Sequence, residues 1–255
     1  MKKKIMSVVM SIVMLLMCCG LAGCNPNEIE VGDFIYYKEN AGTKNVAVEE
    51  ISALGKEKEY LYIPEKIIFR RQEYFVTQVG ALGWVSCRDF MVDSDNLKFL
   101  YFPWTVCPLE TFVRFYSPKL EAVFITCTTC VCYDGRYLGN WVDKPIDVIY
   151  SKFLFCKYFG ETLEPISRGS YTCRPANIAF MFNYEGNPNN GYYSIDYLEE
   201  TGKIHEPPNP IRDGYDFGGW FADEECTMVW DFDKTEAIIS EAYQEIKLYA
   251  KWVKN

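Results

Sequence analysis

The 255-residue chain holds a single histidine, His205. A Ser-His-Asp triad or a multi-histidine metal site would have to be built on that one ring. Basic residues are also scarce: 26 Lys and Arg stand against 35 Asp and Glu, giving a net charge of −9. Nucleic-acid binders neutralise phosphates with Lys and Arg, so this balance argues against a nucleic-acid partner. There is no Gly-Lys-Ser/Thr phosphate loop, no His-Glu-x-x-His and no Gly-x-Ser-x-Gly elbow. No long apolar run follows Met17, and no window keeps a long helical period. Disorder is excluded by what is abundant, since 49% of residues are hydrophobic and 16% aromatic.

The start of the chain addresses the compartment. Lys2, Lys3 and Lys4 precede an uncharged stretch from Ile5 to Met17, and small residues follow. That order is the pattern of an export signal. Leu21-Ala22-Gly23-Cys24 resembles the bacterial lipobox. The resemblance implies cleavage before Cys24 after its thiol receives a diacylglyceryl group. Residues 1–23 are then leader and 24–32 tether, and the protein is extracytoplasmic, held to the cell envelope by acyl chains. Loss of residues 1–23 takes three Lys and no acid, moving the charge from −9 to −12. Eight of the 11 Cys then remain beyond Cys24.

From residue 33 to 160 the pattern predicts a β-rich domain. Phe34–Tyr37, Val46–Val48, Tyr60–Ile63, Tyr74–Val76, Phe99–Phe102, Ala122–Ile125 and Asp147–Tyr150 are short β-branched and aromatic runs bounded by turn residues or charge. Helix is expected only in brief turns such as Pro108 to Arg114. Leu97-x-x-Leu100-x-Phe102 recurs 23 residues later as Leu120-x-x-Val123-x-Ile125. A period in the twenties with this spacing is the mark of leucine-rich repeats. Val76-Thr-x-Val79-Gly80-x-x-Gly83-Trp84-x-x-Cys87, with Ile63-Pro64 and Phe102-Pro103, resembles the BspA-like leucine-rich repeats of bacterial surface proteins. The match runs over about residues 33–130, with an insertion at 89–96 and decay after Thr126, so residues 130–160 are expected to cap a short solenoid. Residues 161–175, with Pro165, Gly169 and Pro175, read as a linker.

The stretch 176–255 carries a denser pattern. Pro210-x-Arg212-x-Gly214-Tyr215-x-Phe217-x-Gly219-Trp220-Phe221 and the terminal Leu248-Tyr-Ala-Lys-Trp252 resemble the Listeria–Bacteroides repeat, the B-repeat of internalins. The resemblance implies a small β-grasp (ubiquitin-like) domain with Tyr215, Phe217, Trp220 and Trp252 in its core. The Gly-Tyr and Gly-Trp steps would let rings pack across strands. The long segment 185–206 departs from the family pattern and is expected to extend a loop. The whole chain is thus expected to be mainly β (α+β), a short leucine-rich-repeat solenoid followed by a β-grasp domain.

Few residues carry chemistry. Cys127, Cys130 and Cys132 have a spacing open to zinc or redox work, but no fourth ligand is nearby, and export favours buried thiols or a disulfide. His205, beside Glu206 in a loop, reads as a passive exposed residue. Asp223-Glu-Glu225 and Asp231-x-Asp233 lack calcium-loop spacing and read as solvated turns. Trp104, Phe115, Tyr116, Tyr133, Tyr137 and Trp141 lie near turns, where rings either meet a protein or glycan partner or close the solenoid. The expected function is a non-enzymatic adhesion or ligand-binding lipoprotein without a cofactor. The alternatives are an envelope enzyme using carboxylates near 130–165 and a spacer in a surface assembly. Cys24→Ser, or globomycin, is expected to leave unprocessed precursor on an immunoblot, and unchanged processing would remove the lipid reading.

Overall fold

The computed structural model describes residues 27–38, 42–82, 87–106, 113–129, 138–140, 144–241 and 244–255, with 81–82, 87–88 and 138–140 as backbone. The chain is mainly β. In chain order the first strands are β1 (Glu28–Val31), β2 (Phe34–Tyr37), β3 (Asn45–Ile51), β4 (Tyr60–Tyr62), β5 (Lys66–Phe69), β6 (Gln72–Val79), β7 (Ala81–Leu82) and β8 (Cys87–Arg88). Then follow β9 (Phe90–Val92), β10 (Phe99–Phe102), β11 (Val113–Phe115), β12 (Ala122–Ile125), β13 (Leu138–Asn140) and β14 (Ile146–Tyr150). Helix α1 (Lys152–Phe159) precedes β15 (Ile166–Arg168), β16 (Tyr171–Pro175), β17 (Ile178–Met181), β18 (Tyr192–Asp196), β19 (Tyr215–Phe221) and β20 (Ile246–Lys254).

From β9 to β14 the chain alternates between two sheets. The first has the order β1-β2-β3-β9-β11-β13, with β6 joining β3 to β5. The second has the order β15-β16-β14-β12-β10-β4. Within each, strands one turn of the chain apart pair in parallel. Phe90 aligns with Val113, and Val113 with Leu138. In the second sheet Leu61, Leu100, Val123, Val148 and Cys173 form one cross-strand row. All five are buried and face the first sheet in one apolar core with Val48, Phe90, Val92, Val113 and Phe115. The step of 23 to 25 residues between partners is the recurrence seen in the Leu97 and Leu120 runs.

A buried serine marks the corner after successive strands of the first sheet. Ser52, Ser94 and Ser117 are 0–3% exposed. The Ser117 hydroxyl donates to the Val92 carbonyl at 3.1 Å and accepts from the Ser94 N–H at 3.0 Å. The Ser94 hydroxyl in turn donates to the Lys56 carbonyl at 2.9 Å. Corner backbone groups that leave the sheets find partners in this way, and unpaired they would each cost about 1–3 kcal/mol. At the equivalent corner after Ser52 stands Gly55, where a Cβ would meet the Asp33 carbonyl oxygen at 2.3 Å.

Three expectations are corrected. The segment 161–175 is not a linker. Ile166–Arg168 and Tyr171–Pro175 pair as a hairpin, and β16 adds in parallel to β14, so the ladder runs on past residue 160. Gly169, at φ +65°, begins the two-residue turn, and this explains the turn-rich composition. Glu28–Val31 is a strand paired with Phe34–Tyr37, so these residues of the expected tether 24–32 belong to the fold. An eight-residue helix lies at Lys152–Phe159, where none was expected; of the turn expected at Pro108 to Arg114, residues 108–112 lie outside the described residues and Val113–Phe115 is strand. Ser151 caps α1 by accepting from the Leu154 N–H at 3.3 Å, and Leu154 and Phe155 are buried at that end of the core. Eight residues are too few for a helical period to stand out.

The terminal module is a third sheet of order β18-β17-β20-β19, with a parallel central pair β17 and β20. One face holds Ile178, Phe180, Trp220, Leu248 and Ala250 beneath Ile204 and Ala237. Trp220 is buried as expected, while Tyr215, Phe217 and Trp252 are half-buried. The glycines serve the backbone: the ladder shifts between Phe217 and Trp220, where Gly219 sits at φ +103°. No helix occurs among the described residues of 176–255 except a single 3-10 turn at Asn189–Gly191. Phe102→Ala, in the fully buried core, is expected to cost about 3–5 kcal/mol in urea unfolding. Ile68→Ala, at a side chain 68% exposed, is expected to change stability by no more than about 0.5 kcal/mol.

Candidate functional site

The second sheet is buried on both faces, and its outward face creates the site. All four residues of β12 are buried, although alternate side chains of a strand point to opposite sides. The outward row runs Tyr62, Tyr101, Phe124, Ile149 and Arg174. Tyr62 stacks on Tyr101 with ring centroids 4.1 Å apart, and Tyr101 on Phe124 at 4.2 Å. Ala179, Tyr192 and Ile195 of the terminal sheet close over Tyr101, Phe124 and Ile149 to make a second core. The covered patch ends where charge begins, at the Arg174 guanidinium, which donates to Asp147 at 2.9 Å.

Polar contacts fix the register of the two modules. Asp196, 1% exposed at the end of β18, accepts from the Tyr101 hydroxyl at 3.3 Å and from the backbone N–H groups of Tyr197 at 2.9 Å and His205 at 3.1 Å. Its other carboxylate contact is His205 Nδ1 at 3.3 Å. The His205 ring also lies 4.3 Å from Tyr60 and 5.8 Å from Phe99. Burial, and then the Asp196 charge, push the Tyr101 phenol well above its usual range and keep it a donor. A second set lies at the other end of the interface. Asn189 Oδ1 accepts from the Thr128 N–H and hydroxyl, both at 2.7 Å, and its Nδ2 donates to the Thr126 carbonyl at 3.0 Å. Asn190 Nδ2 reaches Thr128 Oγ1 at 2.8 Å. Both asparagines hold φ +54°, a conformation that Asn tolerates better than most residues.

Beside the stack the modules leave an open cleft of about 180 Å³, lined among others by Tyr62, Pro64, Glu65, Tyr101, Tyr193 and Asn209. Burial pushes the half-buried Glu65 carboxyl above its ordinary range, opposed by the Trp104 indole N–H and by Lys66. Trp104 Nε1 is itself buried and falls short of full hydrogen-bond geometry with any partner. The Lys66 ammonium is drawn instead to Glu73 at 2.8 Å. Tyr193 donates its hydroxyl to the Pro208 carbonyl at 2.7 Å, which holds the ring in place.

The residues singled out in the sequence fare differently. Leu21, Ala22, Gly23 and Cys24 lie outside the described residues, as do Tyr133, Tyr137, Trp141, Cys130 and Cys132. Of the two readings given for Phe115, its full burial in the first core fits a ring that closes the coil. Trp104 meets Phe182 of the terminal module edge-on at 5.9 Å, so its described ring partner is within the chain. Tyr116 is half-buried with its hydroxyl at Arg114. Cys127 is buried with its Sγ 3.3 Å from the Thr129 hydroxyl, and Cys156, Cys173 and Cys226 form no disulfide among the described residues. Among the described residues no group of three His, Cys, Asp or Glu is arranged to hold a metal. Of the carboxylates near 130–165, Asp134 and Asp143 lie outside the described residues, Asp147 is tied to Arg174, and Glu161 and Glu164 are exposed. Asp223 accepts from the N–H groups of Thr227 at 2.9 Å and Met228 at 2.6 Å, which holds its carboxyl below the usual range and closes a turn. His205, expected to be passive and exposed, is docked against Asp196 and Tyr60. Asp196 is nine residues from His205, but Tyr101, 3.5 Å from the ring, lies 104 residues away, and nothing local marks that contact. The segment 185–206, expected to be an extended loop, holds β18 and the residues that dock the modules.

Comparison with known proteins bears on the terminal module. Residues 180–251 match the Listeria-Bacteroides repeat domain, so that domain is present. A protein of Evansella cellulosilytica named "Putative membrane protein" is 41% identical over 49 residues, 19% of this chain and 7% of that protein. Another from the same organism, named "Putative Gly-rich membrane protein", is 32% identical over 73 residues, 29% of this chain and 8% of that protein. The aligned stretches span less than a tenth of either relative.

The interface is testable by deletion of single groups. Tyr101→Phe removes one donor to Asp196 and is expected to cost about 1–2 kcal/mol. Asp196→Ala strands the Tyr101 hydroxyl and two backbone N–H groups and is expected to cost about 3 kcal/mol. Urea unfolding measures both; a loss below about 0.5 kcal/mol for Asp196→Ala would show that the carboxylate does not hold the modules together.

Proposed function

We propose that this protein is a non-enzymatic binding module displayed on the bacterial envelope and anchored by lipid at Cys24. The observation that carries the reading is the docking of the repeat domain onto the parallel coil. It makes one body of two modules and leaves an aromatic cleft that neither module forms alone. The Listeria-Bacteroides repeat and the membrane-protein names of the relatives support a surface location. The lipobox residues Leu21 to Cys24 support the anchor. The two-sheet coil, with its step of 23 to 25 residues, is read as degenerate BspA-like leucine-rich repeats, and the 2-1-4-3 terminal sheet as a β-grasp variant with no α-helix among its described residues.

The first strand begins at Glu28, so a lipid on Cys24 leaves a tether of four residues. Its reach is at most about 14 Å, at roughly 3.3–3.6 Å per residue. The module would therefore sit close to the membrane surface rather than on a long stalk. A glycan and host-protein array probed with the chain from residue 25 is expected to give saturable binding without consumption of the ligand. Turnover of a polysaccharide or peptide that is lost on changing one carboxylate would replace this reading with an enzymatic one.

A further inference from the structure

The cleft beside the aromatic stack combines three features that together specify a ligand chemistry. Its walls are aromatic: Tyr62 and Tyr101 come from the coil, and Tyr193 comes from the terminal module. Its charge is negative. Glu65 lines it, and Asp196 lies directly behind Tyr101. The one cation among the described lining residues, Lys66, is engaged by Glu73. Its size is small: about 180 Å³ falls below the roughly 300–1,000 Å³ of pockets that enclose drug-sized molecules. It suits one compact group rather than an extended chain.

A carboxylate taken out of water without a matched cation is unfavourable, and a positive charge brought to it restores the ionised form. Aromatic rings around such a carboxylate add attraction for the same cation and none for an anion. We infer that this cleft binds an organic ammonium group, with Glu65 as its counter-ion and Tyr62 and Tyr193 as its aromatic walls. The inference rests on the reading of the protein as a binding module and names the chemistry of its ligand. A lysine side chain and an amino sugar both carry that group. The polar rim supplied by Asn209 and Ser194 would meet the remainder of either.

Calorimetric titration of the purified protein with four probes tests this. The probes are Nα-acetyl-lysine amide, its Nε-acetylated form, glucosamine and N-acetylglucosamine. The charged member of at least one pair is expected to bind about tenfold or more tightly than its neutral partner, the scale of a desolvated cation–aromatic contact. The pair that discriminates identifies the source of the ammonium. Glu65→Gln is expected to abolish the discrimination. It is also expected to be no less stable than the parent at neutral pH, because a carboxyl whose pKa rises on folding opposes folding once ionised. That stability difference should close as pH falls through the carboxylate range, where both chains carry a neutral side chain. Equal binding of charged and neutral probes, no binding of any probe, or full discrimination retained in Glu65→Gln would overturn the inference. Should the variant fail to fold, NMR shift changes in the parent decide: confined to Tyr62, Glu65 and Tyr193 they support the site, and elsewhere they overturn it. A partner found on the array that binds regardless of Glu65 would sink the ammonium site and leave the display reading standing.

Discussion

The outward aromatic row of the second sheet is the contact on which the rest of the structure depends. Tyr62, Tyr101 and Phe124 stack at 4.1 and 4.2 Å in register set by the parallel ladder. Left in water these rings would be a large exposed apolar patch on an isolated coil. Covered by Ala179, Tyr192 and Ile195 they become a second core and bind the terminal module to the first. Each offset ring pair adds about 0.5–1.5 kcal/mol beyond area burial. Most of the favourable energy therefore lies in burial, and the orientation comes from the polar contacts at the rim.

Those rim contacts explain why a surface-domain repeat carries an unusual segment. Residues 185–206 supply Asn189, Asn190, Asp196 and His205, and every one of them reaches the coil. The buried Asp196 is tolerable because its oxygens accept from a hydroxyl and two backbone N–H groups. The cleft is a by-product of the same docking. Glu65 and Tyr62 come from the coil and Tyr193 from the repeat domain, so the site exists only while the modules remain together.

Much of the strand pattern was legible in the sequence, for a local reason. Phe34–Tyr37, Phe99–Phe102 and Ala122–Ile125 are short, β-branched or aromatic and bounded by turns, and each is a strand over the expected residues. The Leu97 and Leu120 recurrence marked coil turns that pair in parallel. Turn residues mislead at 161–175: Gly169 and Pro175 suggest a break in structure, yet one makes a hairpin turn and the other ends a sheet strand. Helix α1 escaped because it is held by a serine cap and core contacts rather than by a period. Phe115 and Trp104 show the limit for ring assignment. Sequence gives an aromatic near a turn, and only packing decides whether it faces the core, a neighbouring module or solvent.

The sequence by itself determined the β class, the inward rows of the coil, the Listeria-Bacteroides repeat of residues 180–251 and the acidic balance. These are properties of composition, period and local turn chemistry, and they need no knowledge of distant partners. Tertiary structure alone decided what the outward rows meet. A run such as Ala122-Val-Phe-Ile125 states that both faces are apolar without naming what covers the second one. That cover came from residues some 60 positions away in the case of Asn189 and Thr128, and about 100 in the case of Tyr101 and His205. The site follows from contacts between segments far apart in the chain, and no local pattern encodes their meeting.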